Sequence, residues 1–175
     1  MKRQLQLFMA ACLLATAVAA CGDDDTGTNP NNPNSQEISD TVKGNIKGTM
    51  KTGKTYYLAA DATVLKGDTL KIEPGVKLID LSNHALIIKG ALFAHGTKDA
   101  MIYMGPDAAR QKTGAWAGIL CDSPSVVSFK WCRMDYAGGL RPDGRPRPTI
   151  YYFSNAANTS EFYLEDCIIY KPKDD

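Results

Sequence analysis

The hydrophobic positions of this chain come in short alternating fragments set between glycine, proline, aspartate and asparagine. After Val64 stand Leu70-Lys71-Ile72, Val76-Lys77-Leu78 and Leu86-Ile87-Ile88. Further on come Leu92-Phe93-Ala94, Ile102-Tyr103-Met104, Val127-Ser128-Phe129 and Phe162-Tyr163-Leu164. Each sets apolar side chains two residues apart, the period of a strand with one buried face. No window sustains the 3.6-residue stripe of an amphipathic helix over three turns. The pattern predicts a nearly all-β domain of many short strands.

The fragments also echo one another. Leu70 and Ile72 return as Leu86 and Ile88, then as Ile102 and Met104, at an offset of 16, and Val76 returns as Leu92. A second echo relates Val127-x-Phe129-x-Trp131-Cys132-x-Met134 to Phe162-x-Leu164-x-Asp166-Cys167-x-Ile169 at an offset of 35. Short strands recurring at fixed intervals predict a β-solenoid, in which each coil lies beside the previous one and inward residues stack in ladders. On this reading Cys132 and Cys167 occupy equivalent inward positions. The interval of 35 then spans either two coils or one coil with Gly138 to Pro148 looped out.

The start of the chain follows another pattern. Lys2-Arg3 precedes an apolar run from Leu5 to Ala20, interrupted by Gln6 and Thr16. This is the layout of a secretory signal, too short for a bilayer span of about 20 apolar residues. Val18-Ala19-Ala20-Cys21 resembles the lipobox of bacterial lipoproteins, which implies cleavage before Cys21 and acylation of its thiol. With about 0.8 kcal/mol contributed per buried methylene, two or three acyl chains would hold the protein at a membrane without crossing it. Asp23, Asp24 and Asp25 follow; like-charged neighbours repel and stay solvated. They also resemble the lipoprotein export signal of Bacteroidota, which implies display on the outer face of the outer membrane. The Asn/Pro/Asp stretch up to about residue 42 has too little apolar surface to offset its ordering entropy. The expected layout is therefore a signal peptide over 1–20, a lipidated and disordered linker over 21–42, and a β domain over 43–175.

Several segments carry a family resemblance. Asp68-Thr69-Leu70-Lys71-Ile72-Glu73-Pro74-Gly75-Val76 resembles the G-x-T-L-x-I-x-P-G-V segment of right-handed parallel β-helix lipoproteins. Gly90-Ala91-Leu92-Phe93-Ala94-His95-Gly96-Thr97, Trp116-Ala117-Gly118-Ile119 and Tyr136-Ala137-Gly138-Gly139 resemble segments that follow in the same order. The resemblance implies a short right-handed parallel β-helix of the pectin-lyase-like type, many of whose members are surface lipoproteins. The fold alone assigns no chemistry. About 110 residues of repeat would form only five or six coils, and the ending Asp166 to Tyr170 looks like an inner coil. A charged Lys171 to Asp175 cap, a truncation, or an end packed on a partner would each accommodate that.

Charge and candidate chemistry narrow the function. The chain has 20 Lys and Arg; without Lys2 and Arg3, 18 remain against 19 Asp and Glu. This near-balance argues against nucleic-acid binding, which calls for a basic excess. Beyond Cys12 and Cys21 stand Cys121, Cys132 and Cys167, an odd set better read as free thiols than as a disulfide framework. His84 and His95 sit beside glycine or asparagine without metal-ligand spacing and read as solvated turn residues. No cofactor or metal is expected. Asp122, Asp135 and Asp166, with Arg133, are the only candidates for the acid–base chemistry of pectin-lyase-like enzymes, and they are scattered along the chain. No catalytic residue is assigned. Tyr151, Tyr152 and Phe153, with Trp116, Trp131 and Tyr136, are candidates for a sugar-stacking strip, although Trp131 and Phe129 alternate as core residues would. Arg141, Arg145 and Arg147 in a proline-rich segment, with Tyr151 and Tyr152, are the candidate contacts for a glycan or protein partner. The expected function is a lipid-anchored, non-catalytic binding module; the alternative is a polysaccharide lyase or glycoside hydrolase, or a remnant of one.

Overall fold

A computed structural model describes residues 38–140, 144–145, 147–155 and 159–173. The molecule is all-β, with parallel sheets and, among the described residues, no α-helix. One sheet of five strands contains β2 (Gly48–Met50), β4 (Thr69–Ile72), β7 (Ala91–His95), β10 (Val126–Lys130) and β13 (Glu161–Glu165). The second sheet is organised by the long β3 (Thr55–Val64). On its first half stack β5 (Lys77–Asp80), β8 (Ile102–Pro106), β11 (Cys132–Asp135) and β14 (Ile168–Tyr170). On its second half stack β6 (Ala85–Ile88), β9 (Gly118–Asp122) and β12 (Ile150–Phe153). The first strand, β1 (Thr41–Asn45), runs beside β3, so Thr41 and the buried Val42 already belong to the packed domain.

Every pairing between these strands is parallel, and from β4 onward each strand pairs with the third one after it. The chain therefore visits three rows in rotation, so parallel neighbours need no helical crossover of the usual kind. The alternating fragments fill the inside. Met50, Ile72, Ala94, Phe129 and Leu164 stand opposite one another in register, as do Gly48, Leu70, Leu92, Val127 and Phe162. Tyr56, Leu78, Met104, Met134 and Ile169 form a third ladder. Val64, Ile88, Cys121 and Tyr152 form a fourth. Members of these ladders from Met50 to Met134 are fully buried. Phe162, Leu164 and Ile169 keep the same inward register but are exposed, because β13 and β14 are the last strands of their rows.

The two sequence echoes fare differently. The 16-residue offset is not a stacking interval, since Leu70, Leu86 and Ile102 lie on β4, β6 and β8, which belong to three different rows. These fragments look alike because every strand needs the same alternation, whichever row it joins. Gly48, Leu70 and Leu92 stack instead at intervals of 22 residues. The 35-residue echo is real, and it is one step: β10 pairs directly with β13, and β11 with β14. It extends to the corners, where Trp131 and Asp166 adopt φ of 51° and 53°, and Tyr136 and Lys171 adopt 58° and 47°. A left-handed non-glycine residue costs about 1–2 kcal/mol, so four such corners at matched positions mark turns that the stacked strands impose. Trp131 sits at one of them and is only half-buried, rather than inward as alternation suggested.

Longer connections leave the stack at one corner, between β8 and β9 and between β11 and β12. In the first, Asp107 caps a single 3-10 turn, Ala108–Arg110, by accepting from the N–H groups of Ala109 and Arg110 at 3.0 Å each. Trp116 then turns back into the core, fully buried. It is thereby withdrawn from any sugar-stacking strip, as is the buried Tyr136. Gly138 to Pro148 belong to the second connection, which accounts for the length of that step.

Candidate functional site

The outer face of the five-stranded sheet carries the residues that alternate with the core ladders. Lys71, Phe93, Ser128 and Tyr163 stand in register in one row. His95, Lys130 and Glu165 form the next, with Glu73 following Ile72 in line with His95. Parallel strands lie about 4.8 Å apart, so each row is a file of side chains at that spacing. Phe93 and His95 meet edge to face, their ring centroids 5.9 Å apart, a favoured aromatic geometry. His95 Nε2 lies 2.8 Å from the Ser128 hydroxyl. Lys130 Nζ contacts Glu165 Oε1 at 2.8 Å.

At the other end of the face Glu73 is held in place. Its Oε2 accepts from the Thr52 N–H at 2.9 Å and the Thr52 hydroxyl at 3.0 Å, while Lys51 Nζ approaches Oε1 at 3.3 Å. Partial burial pushes the Glu73 carboxyl upward, but these three donors together outweigh it and hold the group below its ordinary range. Lys71, Ile72, Glu73, Pro74, Phe93 and His95 enclose an open cleft of about 510 Å³, a size suited to a small ligand or a segment of a polymer. It offers an aromatic edge, a fixed carboxylate and an ammonium group.

The residues singled out by sequence divide. Arg147 and Tyr151 come together, lining a smaller hollow of about 170 Å³ with Ala117, Ile119, Leu120 and Pro148. Tyr152 does not join them. Strand alternation turns it inward beside Cys121, with its ring 5.1 Å from Phe162 and its hydroxyl 2.7 Å from Ser160 Oγ. Arg145 is exposed and lies outside the residues that line this hollow. Arg141 lies outside the described residues, as do Cys21, Asp23, Asp24 and Asp25.

Neither histidine is a solvated turn residue. His95 ends β7, on the face just described. His84 is half-buried, and its Nδ1 lies 3.0 Å from Asp80 Oδ1 and 3.1 Å from the Leu58 carbonyl. Asp80 is itself buried, also accepting from the His84 N–H at 3.1 Å and facing Arg110. Arg110 reaches back from the 3-10 turn to the Asp80 and Ser82 carbonyls, which fastens that connection to the end of β5. Burial raises the Asp80 carboxyl above its ordinary value; His84 and Arg110 pull it down without cancelling the effect.

The scattered acids remain apart. Asp122 pairs with Lys89 at 3.6 Å, and Asp166 occupies a corner. Arg133 Nε donates to both oxygens of Asp135, at 2.9 and 3.0 Å, and its guanidinium lies 4.9 Å from the centre of the Tyr170 ring. Sequence reading missed the outer face of the five-stranded sheet because it followed the inward members of each alternation. Phe93 and His95, two residues apart around the inward Ala94, were the available signal. Comparisons with family models, curated proteins and solved structures return no match to this chain.

Proposed function

We propose that this chain is a lipid-anchored protein of the bacterial cell surface, a short right-handed parallel β-helix that binds glycans without cleaving them. The rotation of the chain through three rows of parallel strands, with ladders of like residues inside, supports the β-helix reading. The signal pattern, Cys21 and the acidic triplet support anchoring through lipid and display on the outer membrane surface. The resemblance of 68–139 to segments of β-helix lipoproteins supports both.

One observation carries the binding function: the Phe93–His95 ring pair beside Ser128, Glu73 and Lys71 in an open cleft. The C–H face of a pyranose is apolar and its rim is hydroxylated. An aromatic surface flanked by a carboxylate, a hydroxyl and an ammonium matches both parts. Tyr163 lies two strands further along the same row as Phe93, with Ser128 between them. The strand spacing of about 4.8 Å is comparable to the length of one sugar unit, so the row suits an extended glycan.

Calorimetric titration of the protein against a panel of acidic and neutral polysaccharides tests this. We expect one class to bind, with Phe93→Ala weakening it about tenfold, equivalent to about 1.4 kcal/mol. A blank panel, or unchanged affinity in both Phe93→Ala and Tyr163→Ala, would overturn the reading. The Arg133–Asp135 contact favours one rival, a polysaccharide lyase or hydrolase of the same fold. Chain cleavage that is lost in Asp135→Ala would establish that rival.

A further inference from the structure

The described residues contain three free thiols. Cys121 and Cys132 are buried, whereas Cys167 is half-exposed near the last strand. Two of them are neighbours. β11 and β14 are paired in parallel with Arg133 opposite Ile168, which sets Cys132 beside Cys167 at the start of that register. Adjacent strands lie about 4.8 Å apart, inside the Cα separation of about 4.4–6.8 Å that a disulfide spans. The side chains share the inner face as well, for each stands two residues before a member of the ladder that pairs Met134 with Ile169. Cys132 Sγ also lies 3.3 Å from the Ala94 carbonyl, and Cys167 Sγ lies 3.2 Å from the Glu165 carbonyl. Cys121 is in the other row, stacked with Ile88 and Tyr152.

We infer that Cys132 and Cys167 are a dithiol pair that closes, under an oxidising small-molecule disulfide, into a bond stapling β14 to β11. The two thiols differ in the way such a step requires. The Cys132 thiol beside it draws the Cys167 thiol down to about 7, so much of it is thiolate at neutral pH. Cys132 is shifted the opposite way, first by the neighbouring Cys167 and then by burial. With oxidised glutathione, the Cys167 thiolate attacks one sulfur, forms a mixed disulfide and expels one glutathione thiolate. Cys132 then attacks the Cys167 sulfur of that mixed disulfide, releasing the second glutathione, which takes up the Cys132 proton. One glutathione disulfide is reduced to two thiols while two protein thiols become one disulfide. The bond would tether the strand whose inward residue, Ile169, is exposed and which, among the described residues, has a neighbour on one side only.

The test is incubation of the full chain with oxidised glutathione, followed by intact mass and peptide mapping without reduction. The expected result is a loss of about 2 Da, a crosslinked peptide pair joining Cys132 to Cys167, and Cys121 still open to alkylation after denaturation. The melting temperature should rise on the order of 10 °C and fall back on reduction. Cys167→Ser, altered at the half-exposed partner, should fold and lose both effects, whereas Cys121→Ser should keep both. A persistent glutathione adduct on Cys167, a crosslink through Cys121, or unreacted thiols in folded wild-type protein would each overturn the inference.

Discussion

The indole N–H of Trp116 donates to the main-chain carbonyl of Asp135 at 2.9 Å, joining the connection before β9 to the end of β11. Both groups are buried, so the bond replaces a contact with water that folding removes. Trp116→Phe keeps most of the packing but removes this buried bond, and should cost about 1–3 kcal/mol. Trp116→Ala adds a cavity and should cost about 3–5 kcal/mol. Urea denaturation of both variants measures the difference. Equal losses would mean that the hydrogen bond alone matters at this position, and an undiminished Trp116→Phe variant would mean that packing alone does.

Asp80 gives the fold a pH dependence of unusual sign. Its folded pKa is raised above the unfolded one by burial, so its contribution to stability is full below the ordinary carboxylate range. That contribution is lost as pH rises through the folded value. Asp80→Asn removes the dependence. The stability of the variant relative to wild type should therefore shift in the variant's favour between about pH 3.5 and about pH 7. Denaturant midpoints collected across that range check this; a shift in the opposite direction would show that the His84 and Arg110 partners dominate.

Gly90 turns the chain between β6 and β7 where no side chain fits. Its N–H donates to the Val64 carbonyl at 3.1 Å, and a Cβ there would collide with the carbonyl oxygens of Leu65 and Asp68. Both obstacles are backbone, so neither can swing aside. Gly90→Ala should destabilise the protein by more than about 2 kcal/mol, seen as a lower melting temperature. Gly67→Ala, where a Cβ meets open space but φ is 87°, should cost less. The reverse order would contradict the clash.

The proposed location is tested separately. Cys21→Ser should abolish incorporation of labelled fatty acid and release the protein from membrane fractions. Replacing Asp23, Asp24 and Asp25 with alanine should leave lipidation intact but protect the protein from protease added to whole cells. Equal protease sensitivity in that variant and wild type would remove the export role of the triplet.

Some of this molecule is determined by local chemistry and was legible along the chain. Period-2 alternation identifies the strands and their inward residues, because a pleated strand places neighbouring side chains on opposite faces wherever it lies. Leu70, Leu92, Met104 and Phe129 are all buried as the pattern requires. The 35-residue echo was legible too, since it records strands that do stack. What the chain could not specify locally is which strand meets which. Leu70, Leu86 and Ile102 carry the same alternation, and only the closing of three rows separates them. The face around Phe93 and His95 depends on that assembly, as do the Asp80–His84–Arg110 cluster and the meeting of Cys132 with Cys167. Each brings together residues far apart in sequence, His95 with Ser128, Asp80 with Arg110 and Cys132 with Cys167, which become neighbours only when the register of the stacked strands is set.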